Sequence, residues 1–433
     1  MQLYQTFLQH PVICTDSRNC PENSIFFALK GDNFNANAFA LKALENGCAF
    51  AVVDQEEFAI DDRFILVENV LETLQQLANY HRKQLGTPVI GITGTNGKTT
   101  TKELIASVLS EKFNILFTQG NLNNHIGVPL TLLNLKPEHE LAVIEMGANH
   151  PGEIKRLAEI AFPDYGIITN VGKAHLEGFG SFEGVMKTKA ELYDFIYESG
   201  KLVFINADNG FLMEMAGKSE LSNKNKLLKY TQVETTEASV YGEISDCSPY
   251  LEMVCKTNNQ PTFEIKTKLI GSYNAENVLG AVAIGNFFGL TNVQIKNGLE
   301  KYIPQNNRSQ LTVTEYNKLV IDAYNANPTS MRAAILNFAQ MNVENKILIL
   351  GDMLELGEHS DNEHQNIVDL LQQNHFENVL LVGKDFMKTK NPFQCFETVE
   401  NLIGFLDEKP IKGSFVLIKG SRGIKLEKIL SKF

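Results

Sequence analysis

The sequence has no Cys-x-x-Cys pair, no apolar run approaching the roughly 18 residues that cross a bilayer, and no excess of positive charge. Each absence excludes something. The cysteines Cys14, Cys20, Cys48, Cys247, Cys255 and Cys395 are scattered, and in a chain this long they read as buried thiols in a reducing compartment. Without an apolar run no membrane span is expected. The segment MQLYQTFLQHP lacks a basic stretch followed by an apolar one, so no signal peptide is expected and the location is read as cytoplasmic. Lys plus Arg number 39 against 51 for Asp plus Glu, a formal charge of −12, which argues against a general nucleic-acid binder. Any anionic substrate must then be held by local positive groups. No Gly-x-Gly-x-x-Gly follows the strands predicted near the C-terminus, so a dinucleotide role lacks its fingerprint there. Neither internal repeats nor low-complexity tracts are found.

What is present is the composition of an ordinary globular protein: 433 residues, 43% hydrophobic and 21% charged. That length suggests roughly two to four domains, large enough to bury cores without disulfide or metal staples. Up to about residue 85, short strands (SIFFAL, CAFAVVD, RFILVE) mix with helices, the last being LETLQQLANYHRKQL with apolar residues at helical spacing. GTP at 86–88 then breaks the pattern, because the residue before proline resists the helical region. The next stretch alternates strand and helix as parallel sheets do. VIGIT, LAVIEM, YGIITNV and KLVFINAD are continuous apolar runs suited to strands buried on both faces. Between them PGEIKRLAEIA reads as a helix with Pro151 at its start, and FEGVMKTKAELYDFIYE as another. Residues 218–268 alternate and suggest a small antiparallel patch, after which YNAENVLGAVAIGNFF returns to helix. Beyond YIPQNNRSQ the alternation restarts with LVIDAY, KILILG, NVLLVG and SFVLIKG. The fold class is therefore α/β, with expected units at 1–85, 86–305 and 306–433.

The strongest chemical signal is GITGTNGKTT, Gly91 to Thr100, between a strand and a helix. Gly94, Thr95, Asn96, Gly97, Lys98, Thr99 and Thr100 form a loop whose backbone N–H groups can wrap phosphate oxygens. In such loops the lysine neutralises the outer phosphates and the next hydroxyl ligates Mg²⁺. The usual pattern places a glycine where this chain has Ile92, so the loop is an unusual subtype.

Other polar residues fall at predicted strand ends, the edge where open α/β sheets bind ligands. Glu145 ends LAVIEM and is either a Mg²⁺ ligand or a solvated carboxylate. His175 follows another buried strand and is either a ligand or structural. Lys189, in the helix reading KTKAEL, looks on its own like a solvated surface charge. Asp322, Tyr324, Asn325 and Asn327 close a strand before Pro328, as chemistry or as a plain turn. Arg308 sits in the segment QNNRSQ between units.

The set GTNGKTTTKEL, GNLNNHIGVPLTLL, EMGANHPGEI, TNVGKAHLEGFGSFEGVMKTKAEL, NADN, YNANP, LGDMLELG and KGSRG resembles the Mur ligases of peptidoglycan assembly over essentially the whole chain. Within them YNANP and GDMLELG match the branch that joins D-alanyl-D-alanine to UDP-N-acetylmuramoyl-tripeptide, and the DNPR signature of the tripeptide-forming sibling is absent. The resemblance implies three domains: an N-terminal UDP-binding unit, a central ATPase, and a Rossmann-like C-terminal unit that closes over it. It implies ATP and Mg²⁺, with two ions, and amide formation through an acyl phosphate. Lys98 would bridge the outer phosphates, Thr99 and Glu145 would hold one ion, and His175 the other. Lys189 matches a lysine carbamylated by CO₂ in the family. Asn274, Arg308 and Asp322 match positions that contact ATP. TDSR places Asp16, Ser17 and Arg18 at the UDP-binding motif, and Tyr324, Asn325, Asn327, Ser421 and Arg422 are candidates for the peptide end. The chain departs from the family at Asn35-Ala36-Asn37, where relatives carry an acidic residue and a histidine, and at Ile321-Asp322, where they carry paired aspartates. A monomer is expected. Competing readings are another amide ligase of the superfamily, such as a folate polyglutamylating enzyme, and a protein that uses ATP only as a switch.

Overall fold

A computed structural model of the chain describes residues 2–31, 33–258, 260–305 and 308–433. Three parallel-rich sheets follow one another along the sequence. The first has four short parallel strands, Ile13–Cys14, Ile25–Phe27, Phe50–Val53 and Phe64–Leu66, paired in that order. Its closing helix, Val70–Leu85, starts at Asn69, whose side chain accepts from the Glu72 N–H, and stops at Gly86 in the left-handed region (φ 68°). Val70, Leu74, Leu77 and Ala78 of that helix share one core with Val89, Leu132 and Ala142, so the first two units are packed together through apolar contact.

The second sheet has nine strands. Val89–Thr93 lies between Tyr165–Ile168 and Leu141–Glu145, all parallel, and every residue of the three is buried. Burial on both faces explains why these strands read as unbroken apolar runs. The alternating segment expected as a small antiparallel patch contains one, and that patch is built onto an edge of this sheet. Leu227–Thr231 and then Val240–Cys247 join it in parallel, and Tyr250–Thr257 and Phe263–Ile270 complete the edge through antiparallel pairings. The helix expected to begin at Pro151 begins at Glu153, because Gly152 at φ 84° provides the turn into it.

The third sheet has six strands, ordered Gln310–Val313, Lys318–Asp322, Phe415–Lys419, Lys346–Gly351, Val379–Val382 and Gln394–Phe396, parallel except for the first. The boundary expected at 305/306 adjoins residues 306 and 307, which lie outside the described ones. The cysteines depart from the expectation of separate buried thiols: Cys14 and Cys20 are joined as a disulfide, and Cys247 and Cys395 are only half-buried.

Candidate active site

The strand Val89–Thr93 delivers the chain to Gly94, and the helix Lys98–Leu109 departs from Gly97, which holds φ 77°. A Cβ on Gly97 would lie 2.7 Å from Asn277 Oδ1, and one on Gly94 would collide with Thr169 Oγ1, so both turns exclude side chains. Neighbouring strand ends set the loop's shape. Asn170 accepts from the Thr95 N–H through its carbonyl (2.9 Å) and from the Asn96 N–H through Oδ1 (2.9 Å), while Thr169 Oγ1 donates to Asn96 O (2.6 Å). The result is a rigid, concave backbone at a helix N-terminus, the geometry that favours phosphate.

Lys98 is turned onto this loop, donating to Gly94 O (2.8 Å) and Thr95 O (3.0 Å), and burial lowers its pKa. Thr99 Oγ1 donates to Glu145 Oε1 (3.2 Å), which also accepts from Asn123 Nδ2 (2.8 Å). The other oxygen, Glu145 Oε2, is buried and has no hydrogen-bond donor; its nearest cation is Lys102 Nζ at 3.9 Å. An orphaned buried carboxylate oxygen is costly unless a positive group satisfies it. Together with the Thr99 hydroxyl it offers hard oxygen ligands that suit a divalent ion such as Mg²⁺, while the Asn123 amide fixes the carboxylate in place.

Lys189 is 2% exposed, so the solvated reading does not apply to it, nor to Glu145 at 1%. It shares a small cavity beneath the loop with Gly94, Lys98 and His175. Burial first, and the charge of Lys98 second, bring its pKa down to about 7, which leaves a free amine available near neutrality. His175 occupies the left-handed region (φ 50°) at the start of Leu176–Phe179, and its Nδ1 pairs with Glu355 of the C-terminal unit.

Lys98, Thr99, Asn123, Glu145 and His175 face a cleft of about 810 Å³ between the second and third sheets. Asn274 and Asn277 line it from the helix Ala275–Phe287 and its approach, with Asn277 Nδ2 donating to Asn274 Oδ1 (2.8 Å). Glu276 also lines it, accepting from Asn170 (3.0 Å) and Asn206 (3.3 Å), and burial raises its pKa to about 7. From the opposite wall come Arg308, Asp322, Tyr324, Asn325 and Asn327. The Arg308 guanidinium lies 3.7 Å from the Tyr324 ring centre, and Asp322 Oδ2 accepts from Lys419 Nζ at 2.6 Å. Asn327 caps the helix Pro328–Gln340 and also reaches the phosphate loop, donating through Nδ2 to Asn96 Oδ1 (2.7 Å). A second bridge between the units, Lys173 to Glu363, measures 2.7 Å.

Some expected residues stand elsewhere. Asp16, Ser17 and Arg18 are outside the cleft lining, on the first unit, where Asp16 and Arg18 pair side by side (2.9 and 2.8 Å). Ser421 is buried beneath the wall, accepting from the Leu354 N–H (3.0 Å) and donating to Ala326 O (3.2 Å). Arg422 lies 5.7 Å from the Tyr324 ring centre and is also outside the lining. Conversely, Asn123, Lys102, Glu276 and Glu355 enter the site without having been singled out by sequence. Asn123 belongs to GNLNNH, a motif in which the asparagines look alike until the fold brings one onto Glu145.

Comparison with known proteins agrees with this geometry. A family model described as the Mur ligase middle domain matches residues 92–285, and one described as Mur ligase, glutamate ligase domain, matches 307–422. The UDP-N-acetylmuramoyl-tripeptide–D-alanyl-D-alanine ligase of Bacillus subtilis is 34% identical, over 96% of this chain and 92% of the relative. The crystal structure of MurF from Acinetobacter baumannii superposes with a TM-score of 0.86 at 31% identity, over 99% and 97% of the two chains. That of the MurF ligase from Thermotoga maritima in complex with ADP gives 0.86 at 26% identity, over 98% and 97%.

Proposed function

The chain belongs to the Mur ligase family, and we propose that it joins D-alanyl-D-alanine to UDP-N-acetylmuramoyl-tripeptide at the expense of ATP, in the cytoplasmic stage of peptidoglycan synthesis. The relatives named above carry this activity in their names, and they align along nearly the full chain. The observation that carries the reading is the Gly94–Thr100 loop meeting a donor-less buried Glu145 oxygen on one side and, on the other, a neutralisable Lys189 that the helix Phe182–Glu198 sets beside Gly94 and Lys98. The expected units at 1–85, 86–305 and 306–433 serve as UDP-binding, ATP-binding and C-terminal closing parts of a monomer.

A carboxylate does not acylate amines because its leaving group would be hydroxide or oxide. Transfer of the γ-phosphoryl group of ATP onto the substrate carboxylate gives an acyl phosphate and ADP. The amine of D-alanyl-D-alanine then attacks the acyl carbon, and phosphate leaves through a tetrahedral intermediate. The first step brings two anions together, so it needs fixed positive charge in a dry site. Lys98, released from Gly94 O and Thr95 O, supplies it to the β- and γ-phosphates. Thr99 and Glu145 would hold one Mg²⁺, and His175 with a carbamate on Lys189 would hold a second. Such ions, when bound, screen the phosphate oxygens and polarise the γ-phosphorus. The amine of Lys189 is suited to take up CO₂ because its lowered pKa leaves it partly unprotonated near pH 7, and the product carries negative charge where the lysine carried positive. Asn274, Arg308 and Asp322 contact the nucleotide. Tyr324, Asn325, Asn327, Ser421 and Arg422 serve the peptide and dipeptide end, and Asp16, Ser17 and Arg18 the UDP end. Closure of the C-terminal wall excludes water that would hydrolyse the acyl phosphate.

The test is phosphate release from ATP with each acceptor supplied singly and together. Release is expected only when both UDP-N-acetylmuramoyl-tripeptide and D-alanyl-D-alanine are present. Turnover indifferent to the dipeptide would defeat the assignment, and turnover with glutamate on a folate acceptor would replace it with the sibling activity.

A further inference from the structure

The disulfide between Cys14 and Cys20 encloses Thr15–Asn19, the loop that carries Asp16, Ser17 and Arg18. We propose that this pair is a reversible thiol–disulfide site whose oxidation state sets the affinity of the loop for the UDP end of the acceptor, an inference that rests on the function proposed above. The geometry has three parts. Cys14 is buried at the end of the strand Ile13–Cys14, while Cys20 is half-buried just before Pro21, so one sulfur is accessible and the other is sheltered. The loop between them is held mostly by its own residues, with Asn19 N–H donating to Asp16 O (3.1 Å) and Arg18 N–H to Asp16 Oδ1 (3.1 Å) beside the Asp16–Arg18 side-chain pair, while the bond from Asn46 Nδ2 to Ser17 O (2.8 Å) ties it to the rest of the unit. A third sulfur, Cys48, lies within 4.8 Å of both.

Cys48 is a spectator. It is buried, its thiol lies 3.2 Å from Ser24 Oγ, which itself donates to Pro21 O (2.6 Å), and burial raises its pKa. A thiol kept protonated is a poor attacking group. The reductant therefore comes from solution and is a small thiol or dithiol. Its thiolate attacks the accessible Cys20 Sγ; that bond forms as the bond between the two protein sulfurs breaks, and Cys14 leaves and takes a proton. A second reductant thiol then displaces Cys20, which leaves as a protonated thiol, and the reductant departs as its own disulfide. Two electrons enter the protein and two are lost by the reductant. The reverse exchange with a small disulfide closes the ring again.

Closing the ring fixes the loop at both ends, and opening it frees the Cys20 end. Preorganised loops bind more tightly because less freedom is lost on association. The oxidised form is therefore expected to show a lower KM for UDP-N-acetylmuramoyl-tripeptide, by roughly fivefold, with the KM for ATP unchanged.

The experiment uses the full chain equilibrated with a small thiol or with its disulfide, then denatured and alkylated. Four cysteines are expected to react in the oxidised form, the four that the structure leaves unpaired, and all six in the reduced form. Steady-state kinetics on the same two samples should show the change in acceptor KM alone. Cys20→Ser should fix the reduced behaviour in both buffers, and Cys48→Ser should keep the response. Six reactive cysteines in both samples, equal acceptor KM in both, or loss of the response in Cys48→Ser would each overturn the proposal. Absence of turnover with both acceptors in either sample would instead count against the ligase assignment, while the thiol count would still report on the disulfide.

Discussion

The second and third sheets face the same cleft from opposite sides, and both set polar side chains at the ends of parallel strands. On the central side the matching is incomplete: Glu145 Oε2 at a strand end lacks a donor, and Lys189, brought under the loop by the helix Phe182–Glu198, is buried and further disfavoured as a cation by the charge of Lys98. On the C-terminal sheet they match one another. Asp322 takes the Lys419 ammonium, and deeper in the unit Asp352 accepts from the N–H groups of Asp385 (2.9 Å) and Phe386 (3.0 Å), close to His364 (3.6 Å). His364 is itself satisfied, with Nε2 accepting from the Met353 N–H (3.0 Å) and Nδ1 placed on Ser360 O (2.8 Å). Both regions hold clustered titratable groups, yet only the first leaves an electrostatic deficit for a ligand to fill. The location of chemistry follows the deficit rather than the density of charge.

That contrast can be broken most sharply at Lys189. Lys189→Ala should lower turnover by about 10³-fold, measured as ADP release, with partial rescue by short carboxylic acids that stand in for the proposed carbamate. The wild-type protein should carry a matching pH signature. With its pKa down at about 7, the Lys189 side chain is mostly ammonium at pH 6 and mostly free amine at pH 8. Preincubation with bicarbonate should therefore raise turnover at pH 8 and leave it unchanged at pH 6; stimulation at pH 6 would contradict the assignment.

A smaller effect is expected at the donor-less oxygen. Glu145→Gln should cost about 10²-fold in kcat and abolish the rise in Tm that Mg²⁺ and nucleotide give the wild type. A retained Mg²⁺-dependent shift would mean that the oxygen is satisfied by some other group. The smallest effect on turnover belongs to the self-satisfied cluster. Asp352→Asn removes one buried acceptor and should lower stability by about 1–3 kcal/mol in urea unfolding, with kcat of the folded protein within about twofold. A large loss of kcat without loss of stability would move this cluster into the chemistry and erase the contrast.

How much of this could be read from the chain alone depends on the range of the signal. The phosphate loop was legible because glycine, lysine and threonine at fixed offsets between a strand and a helix have few other uses. Glu145 and His175 were legible as positions, since continuous apolar runs mark buried strands and fix where they end. Their alternatives stayed open because burial of one carboxylate is a tertiary fact. Lys189 had no signal of its own: a lysine on a helix is ordinarily solvated, and only family resemblance or the packed fold sets it under the loop. Lys102, Asn123, Glu276 and Glu355 act through partners 22 to 180 positions away, beyond any local pattern. The antiparallel strands were legible as strands, but whether they start a new sheet or extend an old one depends on pairing at Leu227–Thr231. Cys14 and Cys20 escaped because a spacing of six residues is not a motif.

The amide pair between Asn96 and Asn327 has a practical corollary. One member sits on the phosphate loop and the other caps a helix 231 positions downstream, so the loop's outer edge is supported by a part of the chain made much later. Cutting the protein after residue 305 to study nucleotide affinity in isolation would remove that prop along with Arg308 and Asp322. Dissection into modules would thus report on a loop the intact molecule never possesses.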